Sequence, residues 1–437
     1  MVFVNLLRII NSDEISEESL SELIPRTTTQ LDEIKEDVLN IINEVKKNGD
    51  NALIDFSKKF DNVELSTSEI KVSDDEISEA YKIIDERLLE ALRFAKINLI
   101  KFHKAQIRED WTIEIDKGIN AGQVYKPLES VGIYVPGGRA IYPSTVLMAA
   151  SPAYVAGVKN MILCSPPQKD KNVAPEIIVA AKEFGIDKIF KVGGAQAISA
   201  MAYGTETIPK VEKVVGPGSK WVNAAKQLLS NEITFDNPAG PSEVLIIADR
   251  NANFKFVILD LLSQIEHDPD NIGIVVTDSE ELIKKIELNI EGYVNQSVRK
   301  EIIEHALKNN SLLIKAKNVE ECCKISNIIA PEHLEILVDN PRRLLPDIKN
   351  VGAIFLGPYS PVPLGDYSAG TNHILPTGGK AKNYSGLNVF DFLKIIEVLE
   401  CDKDGLKILS DSAGTIAEFE GLFAHKKSID ERLRNKN

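Results

Sequence analysis

The sequence predicts an α/β protein with largely parallel sheets and with helical segments at both ends of the chain. From residue 131 onwards, short apolar or β-branched runs alternate with helical patterns, which is typical of βα units in parallel sheets. Proline and glycine crowd together in "NPAGPSEV" (residues 237–244), between two groups of these units, so we expect two sheets. At about 100 to 200 residues per domain, the length of 437 residues also favours more than one domain.

The predicted elements follow in order along the chain. Residues 12–110 are predicted to be almost wholly helical, because a Ser/Asp cap with early acids opens the segment and apolar residues then recur every three or four positions. The predicted strands are the runs VGIYVP, KNMILCSP, DKIFKVGG, VEKVVGPG, EVLIIAD, IGIVVTD, SLLIKA, HLEILVD and VGAIFLG. After about residue 388 the pattern is helical again and ends in a charged tail.

Composition and charge restrict the class of protein. Hydrophobic residues at 43% and charged residues at 27% are ordinary values for a globular protein. The formal net charge of -14 disfavours nucleic acid and anionic membranes as partners. We expect no secretory leader and no transmembrane helix, because no suitable apolar run is present. The four cysteines form no CxxC pair, so a reducing cytoplasm is the expected compartment.

The first stretch suited to chemistry is "SQIEHDPDN". If the preceding segment is a helix, Gln264 and His267 lie three residues apart on one face, about 5 to 6 Å apart at Cβ, so two ligands from one helix are possible. The alternative is a solvated helix end in which His267 interacts with the helix dipole.

Three further stretches offer ligands or proton acceptors. "PLGDYSAGTNHILPTGG" (residues 363–379) contains Asp366 and His373 in a long irregular segment, which is typical of functional loops. "APEHLEI" places Glu332 next to His333 just before a predicted strand, and "EGLFAHKKS" contains Glu420 and His425. Imidazole and carboxylate ligands suit zinc, although no local zinc signature is present. The alternative for residues 363–379 is an ordinary turn-rich connection. The alternative for the other two stretches is that their acids and histidines are surface or half-buried polar groups.

Three predicted strand-to-helix junctions could bind phosphate groups. "VPGGRAIYPS", "VGGAQAISAMAYG" and "VGPGSKWVNAAK" each run from a strand through glycine into a predicted helix. The first helical turn offers free N–H groups and a positive dipole end to an anion. No GxGxxG motif follows any predicted strand, so plain βα turns remain an alternative for each.

Taken together, these motifs resemble those of the histidinol dehydrogenases. The matching segments occur in the family's order and approximate spacing over essentially the whole chain, and they are VGIYVPGG, VGGAQAI, GPG before a helix, AGPSEVLIIAD, LLSQIEHDPD, APEHLEI, GDYSAGTNHILPTGG and AHKKS. The resemblance implies two Rossmann-like, aldehyde-dehydrogenase-like αβα domains. It also implies oxidation of L-histidinol to L-histidine with NAD⁺, one zinc ion per subunit and no cysteine nucleophile, in a homodimer with shared active sites.

The resemblance also implies roles for individual residues. The zinc ligands would be Gln264, His267, Asp366 and His425, the last coming from the partner subunit. The acid/base pair would be Glu332 and His333. Glu332 and the four zinc ligands would also contact the substrate. The further residues implied to contact it are Ser242, His373 and Glu420. The residues implied to contact NAD are Tyr134, Gln196 and Ser219, where Ser219 stands in place of the family's usual asparagine.

The expected domain limits follow from the same resemblance. Residues 1–30 would form an amino-terminal helical extension, and residues 31–133 with 245–387 the main α/β domain, which carries most of the catalytic site. Residues 134–244 would form the NAD-binding domain, and residues 388–437 a helical tail that reaches the partner subunit.

The chemistry of the adjacent acid and imidazole fits these implied roles. An imidazole with a pKa near neutrality suits the removal of a hydroxyl proton as hydride leaves, so His333 is the expected base. Oxidation of the aldehyde needs an added water, which Glu332 would activate alone or together with His333. A zinc hydrolase that uses Glu332 to activate metal-bound water, and a non-catalytic ligand-binding α/β protein, are the alternatives.

Overall fold

Three sheets organise the chain in the computed structural model, which describes residues 6–14, 16–22, 24, 26, 31–137, 141–237 and 240–434. Two of the sheets are parallel, with five and six strands, and the third is antiparallel with three strands. The strands are β1 (Arg8–Asn11), β2 (Trp111–Asp116), β3 (Ile119–Pro127), β4 (Ser130–Tyr134), β5 (Asn160–Ser165), β6 (Lys188–Lys191), β7 (Lys213–Val215), β8 (Thr234–Phe235), β9 (Glu243–Ala248), β10 (Ile272–Thr277), β11 (Ser311–Lys315), β12 (His333–Leu337), β13 (Ala353–Leu356) and β14 (Leu393–Cys401).

Helices cover both parallel sheets, and the last element of the described chain is also a helix. They are α1 (Glu17–Glu22), α2 (Leu31–Phe56), α3 (Asp74–Ile83), α4 (Glu86–Lys104), α5 (Pro143–Ala156), α6 (Pro175–Glu183), α7 (Gly194–Tyr203), α8 (Lys220–Leu228), α9 (Phe254–Ile265), α10 (Glu280–Gln296), α11 (Lys300–Asn310), α12 (Val319–Ile329), α13 (Val362–Tyr367), α14 (Lys403–Phe419) and α15 (Phe423–Arg434). Within the described residues, no helix combines the length and apolar character that crossing a membrane requires.

The five-stranded sheet has the order β6-β5-β4-β7-β8, with parallel neighbours throughout. Its central strand β4 is fully buried at Val131 and Ile133, because helices cover both faces. Strand order reverses between β4 and β7, and this switch point opens a crevice at the carboxyl ends of the two strands. Gly216 follows β7 there with φ of +119°, and a Cβ at this position would lie 2.1 Å from the carbonyl oxygen of Tyr134.

The six-stranded sheet has the order β1-β11-β10-β9-β12-β13. Every residue of β9 and β10 is buried, and such continuous apolar runs are what a doubly covered parallel strand requires. The nine predicted strands all form, and they divide between the two sheets on either side of residues 237–244, so both predictions are confirmed.

The expected roles of the two chain ends need correction. Residues Arg8–Asn11 form an edge strand that pairs with β11, so the amino-terminal extension is not purely helical. The nine-residue strand β14 pairs with β3, so the carboxy-terminal tail is not purely helical either. The sequence LKIIEVLEC carries β-branched residues, but buried and exposed positions do not alternate along it. All of β14 except its first residue is exposed in the single chain.

The grouping of the first long helices also differs from the expected domain limits. Helix α2 packs against α7 and α8, α3 packs against α6, and α4 packs against α5. All four of these partner helices cover the five-stranded sheet. Residues 31–104 therefore join the layer that was expected to be the separate NAD-binding domain. Amphipathic periodicity identifies a buried helix face but does not say which sheet covers it.

Candidate active site

Glu332 and His333 lie at the amino end of β12, as the sequence predicts. Helix α12 ends at Ala330, which adopts the left-handed conformation with φ of +52°, and Pro331 prevents the helix from continuing. The neighbouring strand β13 approaches closely because residue 352 is glycine, and a Cβ there would lie 2.5 Å from the carbonyl oxygen of Glu332. Both side chains are buried, Glu332 with 5% and His333 with 3% of their surface exposed.

Hydrogen bonds fix the orientation of both side chains. Oε2 of Glu332 accepts a hydrogen bond from the backbone N–H of Glu243 at 2.9 Å and lies 3.5 Å from Nδ1 of His333. Nδ1 of His333 lies 3.1 Å from the carbonyl oxygen of Glu243, which can only accept, so Nδ1 carries a proton. Nε2 therefore remains available for chemistry, and this buried atom has no hydrogen-bond partner among the described residues.

Asp366 faces this free nitrogen from a different part of the chain. Its Oδ1 lies 3.4 Å from Nε2 of His333, and its backbone carbonyl oxygen lies 2.9 Å from Nδ1 of His373. Burial raises the pKa of the Asp366 carboxyl, but three surrounding histidines, His333, His373 and His267, outweigh burial and lower it. The site therefore concentrates carboxylate and imidazole groups in a poorly solvated space.

The electrostatics of the two buried imidazoles differ. Burial lowers the pKa of His333, but the carboxylates of Glu332 and Asp366 outweigh burial and raise it well above the usual value. For His373 burial dominates, and its pKa is lowered although Asp366 is close. The surroundings thus shift the pKa values of the two histidines in opposite directions. The expectation of a pKa near neutrality for His333 needs correction, because the two carboxylates favour its protonated form and it must lose a proton before it can act as a base.

Helix α9 brings Gln264 and His267 to the same edge of the sheet. Helices in a βα layer run antiparallel to the strands, so the carboxyl end of α9 lies at the amino ends of β9 and β12. The backbone oxygen of Gln264 accepts a hydrogen bond from the Asn271 side chain at 2.8 Å, and that side chain accepts one from the N–H of Ser242 at 3.1 Å. The Asn271 side chain thus links the backbone of Ser242 to that of Gln264, and the implied role of Ser242 stays a prediction.

Three supporting residues were not anticipated from the sequence: Arg26, Glu243 and Asn271. Arg26 binds both carboxylate oxygens of Glu243, at 3.0 and 2.9 Å. Glu243 is 2% exposed, and burial raises its pKa in spite of Arg26. An acid opening an otherwise apolar strand signals a buried charge, but no sequence pattern identifies Arg26 as the partner.

Glu420 and His425 are not brought to this site within one chain. Glu420 caps α14, His425 lies in α15, and both are exposed on a helical pair that packs mainly on itself. Within the described residues, neither side chain makes a hydrogen bond or ion pair with the residues around His333. Their roles stay predictions.

A cavity of about 280 Å³ opens on the five-stranded sheet. It is lined by Ile41, Phe60, Asp61, Gly194, Ala195, Gln196, Ser219 and Trp221. Gln196 lies in the first turn of α7, and Ser219 caps the start of α8, so two helix amino ends face this space. The Tyr134 hydroxyl accepts a hydrogen bond from the N–H of Gly194 at 3.0 Å, and burial raises its pKa to about 12.

Within the part of the chain that the structure describes, one chain alone does not assemble a complete metal site. Among the described residues, no group of three or more histidine, cysteine, aspartate or glutamate side chains is placed to hold a metal ion. Two of the four predicted ligands fall outside such a group: Gln264 is an amide, and His425 would come from the partner subunit. One chain therefore contributes only His267 and Asp366 as histidine or carboxylate ligands of its own site.

Comparisons with known proteins agree over the whole fold. The family model described as histidinol dehydrogenase matches residues 24–433. The histidinol dehydrogenase of Methanocaldococcus jannaschii is 47% identical over 422 residues, which are 96% of this chain and 97% of the relative. That of Methanothermobacter thermautotrophicus is 43% identical over 95% of this chain and 97% of the relative. The crystal structure of histidinol dehydrogenase from Elizabethkingia anophelis superposes with a TM-score of 0.95 at 40% identity, covering 98% of both chains. The chain therefore belongs to the histidinol dehydrogenase family of oxidoreductases.

Proposed function

We propose that the protein catalyses the zinc- and NAD-dependent four-electron oxidation of L-histidinol to L-histidine through L-histidinal, the last step of histidine biosynthesis. Beyond family membership, one observation carries this proposal. The buried Glu332 and His333 side chains are held so that one base nitrogen and one carboxylate face the same space as Asp366. Two oxidations at one carbon, with a hydration between them, require two such proton acceptors.

His333 is the base for the alcohol. The carbonyl oxygen of Glu243 holds Nδ1 in its protonated form, so the proton of the substrate hydroxyl moves to Nε2. As that proton leaves, bound NAD⁺ would accept a hydride from the carbinol carbon, so that L-histidinal and NADH would form. The hydride carries both electrons of the first oxidation, and the proton balances the charge.

Glu332 acts in the second oxidation. It removes a proton from the water that adds to the aldehyde carbon, which gives the hydrated aldehyde as its anion. A second bound NAD⁺ would accept a hydride from this anion, which leaves the carboxylic acid. After His333 has released its first proton to solvent, it would accept the carboxyl proton, so that the carboxylate forms. The backbone N–H of Glu243 positions Glu332 for this task from its buried side.

Zinc fits the donor chemistry of Gln264, His267 and Asp366, completed by His425 of the partner subunit. When bound, the metal would orient the imidazole and amine of the substrate. The arrangement of this chain supports the assignment, since no hydrogen bond within the described residues engages the buried Gln264 side chain, and His267 lies near enough to Asp366 to lower its pKa. Asp366 also touches His333, so the ligand set and the base adjoin.

NAD fits the cavity at the switch point of the five-stranded sheet. The amino ends of α7 and α8 offer N–H groups to the pyrophosphate, and Gln196 and Ser219 stand at these ends. Tyr134 is the last residue of β4, and its hydroxyl accepts a hydrogen bond from the N–H of Gly194. Crevices at such switch points are where open α/β sheets bind dinucleotides.

A homodimer fits the exposed apolar surface of the carboxy-terminal elements. Leu399 of β14, Phe419 of α14 and Phe423 of α15 are 68%, 90% and 65% exposed in the single chain. An apolar surface of this kind is typical of a subunit interface, and a two-fold interface would carry His425 into the neighbouring site. We also propose that the enzyme is cytoplasmic, that it acts on L-histidinol, and that it has no nucleic-acid or membrane partner.

A turnover assay tests the proposal directly. Purified, zinc-loaded protein is mixed with L-histidinol and NAD⁺, and the formation of NADH and of L-histidine is followed. Two NADH per histidine are expected. Absence of NADH formation by the metal-loaded protein would instead favour the zinc hydrolase or the non-catalytic binding protein.

A further inference from the structure

A buried ion pair lies behind the loop of residues 216–219, which leads from β7 into α8. The ammonium of Lys226, in α8, pairs with the carboxylate of Asp236, the residue that follows β8. Both side chains are almost inaccessible, with 7% and 3% of their surface exposed. Side chains of a helix lean towards its amino end, so the long stem of Lys226 reaches back along α8 to this loop.

The ion pair binds both peptide groups of one residue, Gly216. Nζ of Lys226 donates a hydrogen bond to the carbonyl oxygen of Gly216 at 2.6 Å, and Oδ2 of Asp236 accepts one from the N–H of Gly216 at 2.6 Å. The N–H of Asp236 in turn donates to the carbonyl oxygen of Val214, in β7, at 3.3 Å. Gly216 also packs on the backbone of Tyr134 with its positive φ of +119°. The first residue of the loop is therefore fixed by an ammonium, a carboxylate and a neighbouring strand.

The other end of the loop faces the cofactor cavity. Ser219 stands at the N-cap position of α8 and lines the cavity of about 280 Å³, together with Trp221 in the first turn of the helix. Pro217 and Gly218 alone separate Gly216 from Ser219, and the ring of Pro217 fixes one of the intervening dihedral angles. A displacement of Gly216 is therefore passed on to Ser219 and to the free N–H groups at the start of α8.

A contribution to stability does not by itself account for such a pair. Well-packed apolar residues of similar volume are often at least as stabilising as a buried ion pair, because two charges need not then be removed from water. Apolar side chains cannot, however, supply a donor and an acceptor at fixed positions to the two peptide groups of Gly216. Fixed peptide groups have a use where a helix amino end must meet the phosphates of a ligand in a preformed arrangement.

We propose that Lys226 and Asp236 are positioning residues for the cofactor, holding residues 216–219 so that Ser219 and the amino end of α8 face the pyrophosphate of NAD. This inference rests on the proposed function, which assigns NAD to this cavity. Within the described chain, neither Lys226 nor Asp236 belongs to the residues that line the cavity, so both act through Gly216.

Two variants and a control separate positioning from stability. Lys226→Met keeps the aliphatic stem but removes the ammonium, which leaves the buried Asp236 carboxylate without a cation. The double variant Lys226→Met/Asp236→Leu leaves no charge unpaired, but it removes both hydrogen bonds to Gly216. The control is Lys213→Met, because Lys213 is a second buried lysine, at the opposite end of β7, and its Nζ lies 3.5 Å from Oδ1 of Asp391.

Binding of NADH is measured by the quenching of fluorescence from Trp221, which lines the cavity, and stability by urea unfolding. Both Lys226 variants are expected to bind NADH about tenfold to hundredfold more weakly, as loss of hydrogen bonds to charged groups does. The double variant should regain most of the stability that Lys226→Met loses, because it buries no unpaired charge. Lys213→Met should be less stable than the wild type and bind NADH with unchanged affinity.

Amide hydrogen exchange in the cofactor-free protein measures the loop itself. Exchange at residues 216–219 should be faster in both Lys226 variants and unchanged in Lys213→Met, because only the former release Gly216.

Two outcomes would overturn the inference, and a third is distinct from both. If NADH affinity recovers together with stability in the double variant, the pair contributes stability and positions nothing. If exchange at residues 216–219 is the same in the wild type and in both Lys226 variants, the pair does not hold the loop. If the wild type binds no NADH although exchange responds as expected, the proposed cofactor site is wrong and the cofactor role of the pair falls with it, while its hold on the loop stands.

Discussion

Nε2 of His333 lies 3.4 Å from Oδ1 of Asp366. The first residue opens a strand and the second lies in the last turn of a short helix, yet the two atoms approach each other in the interior. Asp366 is a proposed zinc ligand and His333 the proposed base, so binding of the metal and movement of the proton take place in adjoining positions. This relationship makes the site sensitive to small displacements of either element.

Glu332→Gln is expected to slow the aldehyde-to-acid half of the reaction by about 100-fold and the alcohol-to-aldehyde half by less than about tenfold. Only the aldehyde requires an activated water. His333→Asn should slow both halves, because both release a proton to the imidazole. Separate assays with histidinol and histidinal measure the two halves, and equal losses for Glu332→Gln would reject this division of roles.

Removal of the metal should abolish turnover, and zinc should restore it. His267→Ala is expected to bring bound zinc below one ion per subunit, because this residue is the only histidine that a single chain contributes to the proposed ligand set. Elemental analysis of the purified variants measures the content. His305→Ala, which removes an exposed histidine of α11, is the control. Full turnover by demonstrably metal-free protein would exclude zinc from the mechanism.

His425→Ala and His333→Ala should complement each other when both chains are expressed together. In a mixed dimer one site carries both defects and the other carries neither, provided that His425 serves the neighbouring site. Random pairing makes half of the dimers mixed, so about a quarter of the wild-type activity should reappear although each homodimer is inactive. No recovery in verified mixed dimers would show that His425 acts within its own chain or not at all.

Asp61 gives a prediction about stability and pH. Burial in the cofactor cavity raises the pKa of its carboxyl to about 6. The folded chain therefore holds this proton more tightly than the unfolded chain, so the contribution of Asp61 to stability is greatest at low pH and is lost as pH rises through about 6. Asp61→Asn should stabilise the protein at pH 7 and lose that advantage in acid. Urea unfolding across this pH range measures the difference in the free energy of unfolding, with the exposed Asp55→Asn as the control. If Asp61→Asn stabilises the protein equally at every pH, burial of the charged carboxylate is not the cause.

Arg26→Met should destabilise the protein by about 2–4 kcal/mol, because it leaves the buried Glu243 carboxylate without its cation. Since the backbone of Glu243 orients both Glu332 and His333, kcat should fall as well. Denaturant unfolding and steady-state kinetics measure the two effects. Arg8→Met, at an exposed arginine of β1, should change neither, and an Arg26 variant as stable as the wild type would show that the ion pair contributes no net stability.

Individual residues show how far the sequence could predict the site. The adjacency of Glu332 and His333 and the helical spacing of Gln264 and His267 are local properties, so motif and periodicity were sufficient to single them out. The tie from Asn271 to Ser242 and the ion pair from Arg26 to Glu243 could not be found in this way. Both depend on segments that are remote in sequence, and no local pattern encodes which of many polar side chains will be a neighbour.

The sequence by itself determined the alternation of strands and helices, the division into two sheets near residues 237–244, and the family to which the chain belongs. Burial periodicity and turn chemistry act over a few residues, and the motifs are read directly. Only the tertiary structure decided that α2, α3 and α4 cover the five-stranded sheet, that β1 and β14 are strands, and that Arg26 pairs with Glu243. These features follow from which apolar and polar surfaces meet when the chain packs, and that choice minimises exposed apolar area and unpaired buried charge over the whole molecule.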